Sequence, residues 1–133
     1  MSKSLGNLVT PAQLISGPSN PPSKGKLPPK SLLDKAWPVD VLRLWVAASD
    51  YTYDVALGLQ QLLKVQETYQ KIRNTNRYLL SNLYDFDAIK DYVDYPLLSL
   101  PDKWCLSRLS SVSQEIRNAY EHFTFTDVYG LLN

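Results

Sequence analysis

The chain has 133 residues, 44% hydrophobic and 20% charged, a size and balance that suit one ordinary globular domain or a small domain with a tail. Its formal net charge is +1, so no overall field draws it to nucleic acid; RNA contact would need a local basic patch, and nothing points to DNA. Cys105 is the only cysteine and His122 the only histidine, which excludes a disulfide framework and argues against an intrachain zinc site.

No run approaches ~18 consecutive apolar residues, so no membrane span is expected. The N-terminus shows neither a signal-type apolar stretch nor an Arg-rich amphipathic one, so no targeting segment is visible. The first seven residues, Met1-Ser2-Lys3-Ser4-Leu5-Gly6-Asn7, form a Ser/Lys/Gly loop that suits a polyanion. Lys3 supplies a mobile point charge, and the small residues let backbone N–H groups approach phosphate oxygens. A solvated chain end is the plainer reading of the same residues.

Residues 8–15 predict one helical turn with Thr10 as N-cap and Pro11 at the first helical position. From Ser16 to Pro38 the chain holds six of its nine prolines, interleaved with Ser, Gly and lysines 24, 26, 30 and 35. Such a composition buries little apolar surface and reads as a linker or long loop. A helix is expected from about Asp40 to Ala48, because Val41, Leu44, Trp45 and Ala48 fall at i, i+3, i+4 and i+7. The residues Ser49-Asp50-Tyr51-Thr52 should end it, since they bond their own backbone and favour turns.

The longest predicted helix runs from about Leu59 to Leu83. Leu62, Val65, Tyr69, Ile72, Asn76, Leu79 and Leu83 alternate spacings of three and four, the seam of a helix packing lengthwise on neighbours. Glu67 and Lys71 stand four apart in the favourable order for a pair. The stretch from Tyr84 to Leu100 is acidic and aromatic; its aspartates could hold a divalent ion, but turn chemistry and N-capping are the commoner use, and the calcium-loop spacing and glycine are missing. A third long helix should begin near Pro101, with Ser99 and Asp102 as an S-x-x-D start. Cys105, Leu109, Val112, Ile116, Ala119 and Phe123 carry its seam, so Cys105 reads as core. A further helix is expected from Thr124, with Asp127 as capping partner and Phe123 stapling onto Val128. The long helices near 59–83 and 101–123 are expected to pack antiparallel through their seams, giving an all-α fold.

No nucleophile–base pair, P-loop or dinucleotide fingerprint is present. His122 reads as structural. The residues with chemistry to offer are Lys3 and a basic stretch, Lys71, Arg73, Asn74 and Arg77, whose donors suit a phosphate–sugar backbone. Arg73 and Arg77 share a helix face; pairing with the aspartates after Tyr84 is the alternative for them.

The N-terminal loop resembles the end of the Lys-Met-Ser-Lys-Ser signature of class I aminoacyl-tRNA synthetases and its Leu-Gly-Asn continuation, without the first lysine. Val39-Asp40-Val41-Leu42-Arg43-Leu44-Trp45 and Ser49-Asp50-Tyr51-Thr52 resemble the segment that follows the signature. Lys71-Ile72-Arg73-Asn74-Thr75-Asn76-Arg77, Asn82-Leu83-Tyr84-Asp85-Phe86 and Asp102-Lys103-Trp104 are similar to isoleucyl-tRNA synthetase of the bacterial and mitochondrial type. That resemblance covers most of residues 1–7 and 39–133, in order.

The resemblance implies ATP, with Mg2+, held at Met1, Ser2, Lys3 and Ser4, and Lys3 acting in catalysis on the transferring phosphates. It implies tRNA(Ile) at Lys71, Arg73, Asn74 and Arg77, isoleucine as co-substrate, no metal site in this chain, and a monomer. Residues 1–50 would be the signature loop, a proline-rich insertion and a junction helix at the edge of the catalytic domain. Residues 51–133 would begin the helical anticodon-binding domain, an antiparallel bundle of the class I synthetase type. The chain starts inside a motif and stops inside a helix, which predicts a fragment that is not competent alone. Its compartment would be the mitochondrial matrix in a eukaryote and otherwise the cytoplasm. A stand-alone helical RNA-binding module and a protein that offers the 62–83 seam to a partner helix remain as alternatives.

Overall fold

The computed structural model of the chain describes residues 9–18 and 31–133. Five helices follow in order: α1 (Pro11–Ser16), α2 (Val39–Ala48), α3 (Leu59–Asn82), α4 (Leu100–Glu121) and α5 (Phe125–Leu132), with one 3-10 turn at Tyr95–Leu97. No strand occurs among the described residues, so the expected all-α class holds. The chain divides into two compact units, one running to Tyr69 and the other Gln70–Asn133; the boundary falls within α3.

In the first unit, α1 is too short to persist alone, and its sequence supplies the missing support. Thr10 caps it as predicted, its hydroxyl accepting from the Gln13 N–H at 3.3 Å while the Thr10 N–H donates to the Gln13 side-chain carbonyl at 2.9 Å. Gly17 closes the helix at φ 67° with its N–H bonded to the Gln13 carbonyl. A side chain there would meet the Ala36 backbone: a Cβ would lie 2.6 Å from the Ala36 nitrogen. Next to that contact, the Trp37 N–H donates to the Leu14 carbonyl at 2.9 Å.

The interval of residues 18–35 thus leaves and returns at one place. A segment whose two ends are held together can lengthen at low cost.

The core of this unit gathers Leu14, Trp37, Val41, Leu62 and Val65, with Val9, Leu32, Leu42, Leu44, Trp45, Leu57 and Tyr69 packed around it. Val41 and Leu62 are fully buried, and each lies on a predicted apolar face. Trp37 satisfies its indole by donating from Nε1 to the Leu32 carbonyl at 2.7 Å. Ser49 ends α2 by bonding its hydroxyl to the Trp45 carbonyl at 2.7 Å, and Asp50 accepts from both the N–H and the hydroxyl of Thr52. Both are the turn chemistry expected of these residues.

The second unit uses the same helical periods with a different outcome. Ile72 is half-buried, and from Arg73 to Leu83 every position of α3 and its end is exposed. In α4 the predicted seam is buried only at its C-terminal end. There α5 packs on it, with Ala119 and Val128 buried and Phe125 meeting Tyr120 and Phe123 edge-on at 5.6 and 6.2 Å. Leu79, Leu83, Leu109 and Phe123 remain exposed.

Several local expectations change here. Cys105 is exposed rather than core, because it lies on the part of α4 that α5 does not reach. Glu67 and Lys71 form no ion pair among the described residues; both are exposed, and a wet pair has little to hold it in one geometry. Thr124 makes no side-chain cap to α5; its hydroxyl donates instead to the Ala119 carbonyl. Phe123, at φ 57°, takes the left-handed position that ends α4. The Thr124 N–H bonds the Ala119 carbonyl and the Phe123 N–H the Tyr120 carbonyl, a Schellman closure. The Phe123 ring meets the Phe125 ring edge-on. Ser99 does cap α4, accepting from the Asp102 N–H at 3.4 Å.

Candidate functional site

Met1, Ser2, Lys3 and Ser4 lie outside the described residues. The chain is described from Val9, which packs against the core cluster.

Lys71, Arg73, Asn74 and Arg77 all fall on α3 and all are exposed. The helix does not bring the three cations onto one face. At ~100° per residue, Arg73 and Arg77 stand ~40° apart, whereas Lys71 lies ~160° around from Arg73. Among the described residues none of the three has an ion-pair partner. Of the aspartates that follow Tyr84, which could have neutralised the arginines, Asp87 and Asp91 are engaged locally. Asp87 accepts from the Ile89 and Lys90 N–H groups at 2.9 and 3.3 Å and pairs with the Lys90 ammonium at 3.3 Å. Asp91 accepts from the Asp87 N–H at 2.8 Å. The Ile89 N–H first, then Lys90, hold the Asp87 carboxyl below the usual carboxylate range. Arg73 and Arg77 are therefore two adjacent uncompensated donors. Exposed guanidinium donors of this kind suit a polyanion backbone.

No group of three or more His, Cys, Asp or Glu side chains that could hold a metal ion occurs among the described residues. His122 is exposed, with Nδ1 2.8 Å from the Asn118 carbonyl at the end of α4. A shallow groove of ≈ 450 Å³ between α4 and α5, lined by Glu115, Asn118, Thr126 and Asp127 among others, includes none of the predicted site residues.

Sequence reading missed one cluster. The Lys35 ammonium sits 3.9 Å from the centre of the Trp37 ring and donates to the Gln66 side-chain carbonyl on α3 at 2.6 Å. Partial burial pushes its pKa down. Within a Pro/Lys-rich stretch Lys35 looked like one more solvated charge. The available signal was its place two residues before a tryptophan, which offers a face for a cation.

No protein-family model matches the chain. Along nearly its whole length, however, it is similar to isoleucine–tRNA ligases of Prochlorococcus marinus. Identity is 46% over 129 residues with the protein of strain NATL1A, covering 97% of this chain and 12% of that protein. It is 43% over 132 residues with the proteins of strains MIT 9211 and MIT 9515, each covering 99% of this chain and 13% of the relative. The chain belongs to the isoleucine–tRNA ligase family.

It spans 12–13% of the length of these ligases, so it corresponds to one segment of an isoleucine–tRNA ligase. The matched span takes in the core around Trp37, the basic stretch of α3 and the α4–α5 pair alike, since it covers 97–99% of the chain. These ligases are bacterial and lend no support to the mitochondrial alternative. Among the described residues no helix is long and apolar enough to cross a membrane.

Proposed function

We propose that the chain serves as part of an isoleucine–tRNA ligase, an ATP-dependent enzyme that activates isoleucine and transfers it to tRNA(Ile) for translation. The observation that carries this reading is the match to isoleucine–tRNA ligases over 97–99% of the chain. Within that enzyme, residues 1–50 form the edge of the catalytic domain and residues 51–133 the start of the helical anticodon-binding domain. Met1, Ser2, Lys3 and Ser4 contact the phosphates of ATP, with Mg2+ accompanying the nucleotide. Lys3 places its positive charge where negative charge grows as the adenylate forms, which lowers the barrier more than it tightens binding.

On α3, Arg73 and Arg77 hold tRNA phosphate, and Asn74 adds a neutral donor beside them. Lys71 lies too far around the helix to share the same phosphate run, so its contact is a separate and weaker one. The parent enzyme acts as a monomer in the compartment where translation runs. The chain by itself lacks a second nucleotide-binding motif and forms no isoleucyl-adenylate.

Two measurements test this. The purified chain should show no isoleucine-dependent ATP–pyrophosphate exchange, and exchange by it would overturn the division of labour. The second uses a hybrid: the Prochlorococcus ligase with its matching segment replaced by this chain. There Arg73→Ala with Arg77→Ala should weaken tRNA binding and lower its salt slope by about 2, since each lost phosphate contact removes about 1. An unchanged affinity and slope would show the pair to be ordinary solvated surface.

A further inference from the structure

Beyond Gln70, α3 carries two different faces. At ~100° per residue, Asn76, Leu79 and, one residue past the helix, Leu83 fall within ~40° of Ile72, while Arg73 and Arg77 stand ~100° and ~140° around from it. Ile72 is half-buried, and Leu79 and Leu83 are 52% and 55% exposed. The row continues, with the same alternation of three and four residues, the seam that is buried at Leu62 and Val65. Single exposed leucines are ordinary surface, but a row at this spacing suits a second helix lying lengthwise against the first. Asn76 stands in the middle of the row. Its side chain is exposed and has no hydrogen-bond partner among the described residues. An asparagine in an apolar seam lowers stability and fixes register, because its amide must meet a polar group on the facing helix.

Size indicates where that helix comes from. The row from Ile72 to Leu83 covers about three turns, ~17 Å of helix. That is little to hold two separate chains, whose specific interfaces bury about 1,200–2,000 Å². A segment of the same polypeptide meets no such demand, since its tether keeps the effective concentration near the millimolar range. The matched span is 12–13% of the length of the Prochlorococcus ligases, so most of such a polypeptide lies outside it.

We propose that the row Ile72, Asn76, Leu79 and Leu83 docks one amphipathic helix of the parent ligase, contributed from outside the matched span, with apolar residues at the same spacing and a polar side chain opposite Asn76. This rests on the reading of the chain as a ligase segment. The docked helix leaves the arginine face open, and it stiffens the stretch from which Arg73 and Arg77 project.

The test compares the chain alone with the hybrid ligase, both without tRNA. In the chain alone, Leu79→Glu with Leu83→Glu should move the melting temperature by no more than about 2 °C, as substitutions at exposed positions do. A large drop there would show the row to be covered by this chain's own residues and would overturn the proposal. In the hybrid, amides of residues 72–83 should exchange about tenfold or more slowly than in the chain alone, and the two glutamates should abolish that protection. Tyr78→Glu, at an exposed apolar residue ~120° around from Ile72, should leave it intact. A photo-crosslinking residue in place of Leu79 gives a reading that does not depend on the glutamate variants folding. It should join the hybrid to one segment of its own polypeptide outside this chain. Crosslinks only to a second copy, crosslinks only within this chain, or equal exchange at 72–83 in chain and hybrid would each overturn the docking helix, and a hybrid that still charged tRNA(Ile) would remain a ligase. A hybrid that folds and charges none would remove the ligase reading and this proposal with it.

Discussion

The two halves of α3 carry one continuous apolar period and meet different fates. Up to Tyr69 the stripe is buried at Leu62 and Val65 because α1, the 31–37 turn and α2 converge on it. Beyond Gln70 the same spacing yields a half-buried Ile72 and exposed Leu79 and Leu83. Periodicity specifies which face of a helix is apolar, while burial depends on how many other elements reach that face. The first half contributes to a core; the second presents side chains, among them the two arginines.

This contrast predicts unequal sensitivity to substitution. Leu62 is fully buried, so Leu62→Ala should cost about 2–5 kcal/mol and lower the melting temperature sharply. Leu109, on the seam of α4 but 60% exposed, should tolerate alanine within about 0.5 kcal/mol. Equal losses at the two positions in thermal melts would erase the distinction between the halves.

At the clip between α1 and Ala36, Gly17→Ala should cost at least about 1 kcal/mol, because the residue sits at φ 67° and a Cβ there would strike backbone. Removing residues 19–30 and closing the gap with a short Gly/Ser linker should cost far less, since the contacts of Gly17 with Ala36 and of Leu14 with Trp37 lie outside the deleted residues. A deletion that melted below Gly17→Ala would contradict that view of the excursion. Thr10→Ala should lose about 0.5–2 kcal/mol of capping, read best as faster amide exchange in α1.

The smallest effect concerns acid. Hydrogen bonds from the Thr52 hydroxyl and then the Thr52 N–H lower the pKa of Asp50 from its ordinary 3.8, and the Ile89 N–H and Lys90 lower that of Asp87. A carboxylate whose folded pKa lies below its unfolded one adds stability above the unfolded value and loses it as pH falls through the folded value. The turns at 50–53 and 87–91 should therefore hold at neutral pH and loosen below about pH 4. Faster exchange of the Thr52 and Ile89 amides should report the change, and Asp87→Asn should remove it at the second turn.

Much of this was legible from local rules. The helix starts at Thr10 and Ser99, the stop at Ser49, and the buried positions Val41, Leu62 and Val65 followed from caps and spacing. The turn role of Asp87 was also foreseen. Trp37 and Lys35 were not, because they stand in a stretch whose composition reads as linker, and their importance arises from neighbours distant in sequence, Leu14 and Gln66. The exposure of Cys105 and the contact of Phe123 with Phe125 depend on where α5 lies, which no seam pattern in α4 alone can report. For the site, spacing showed that Arg73 and Arg77 share a face and that Ile72 occupies the seam. It did not show that Asp87 and Asp91 would bond within their own turn, or that neither arginine would have an ion-pair partner among the described residues.

Aminoacylation by the hybrid ligase tests the central claim most directly. If this chain is an isoleucine–tRNA ligase segment, the Prochlorococcus enzyme carrying it in place of its own matching segment should charge tRNA(Ile) with isoleucine. That activity should fall on Lys3→Ala through exchange and on Arg73→Ala with Arg77→Ala through tRNA affinity. A hybrid that folds, binds isoleucine and ATP, and still charges no tRNA(Ile) would contradict it.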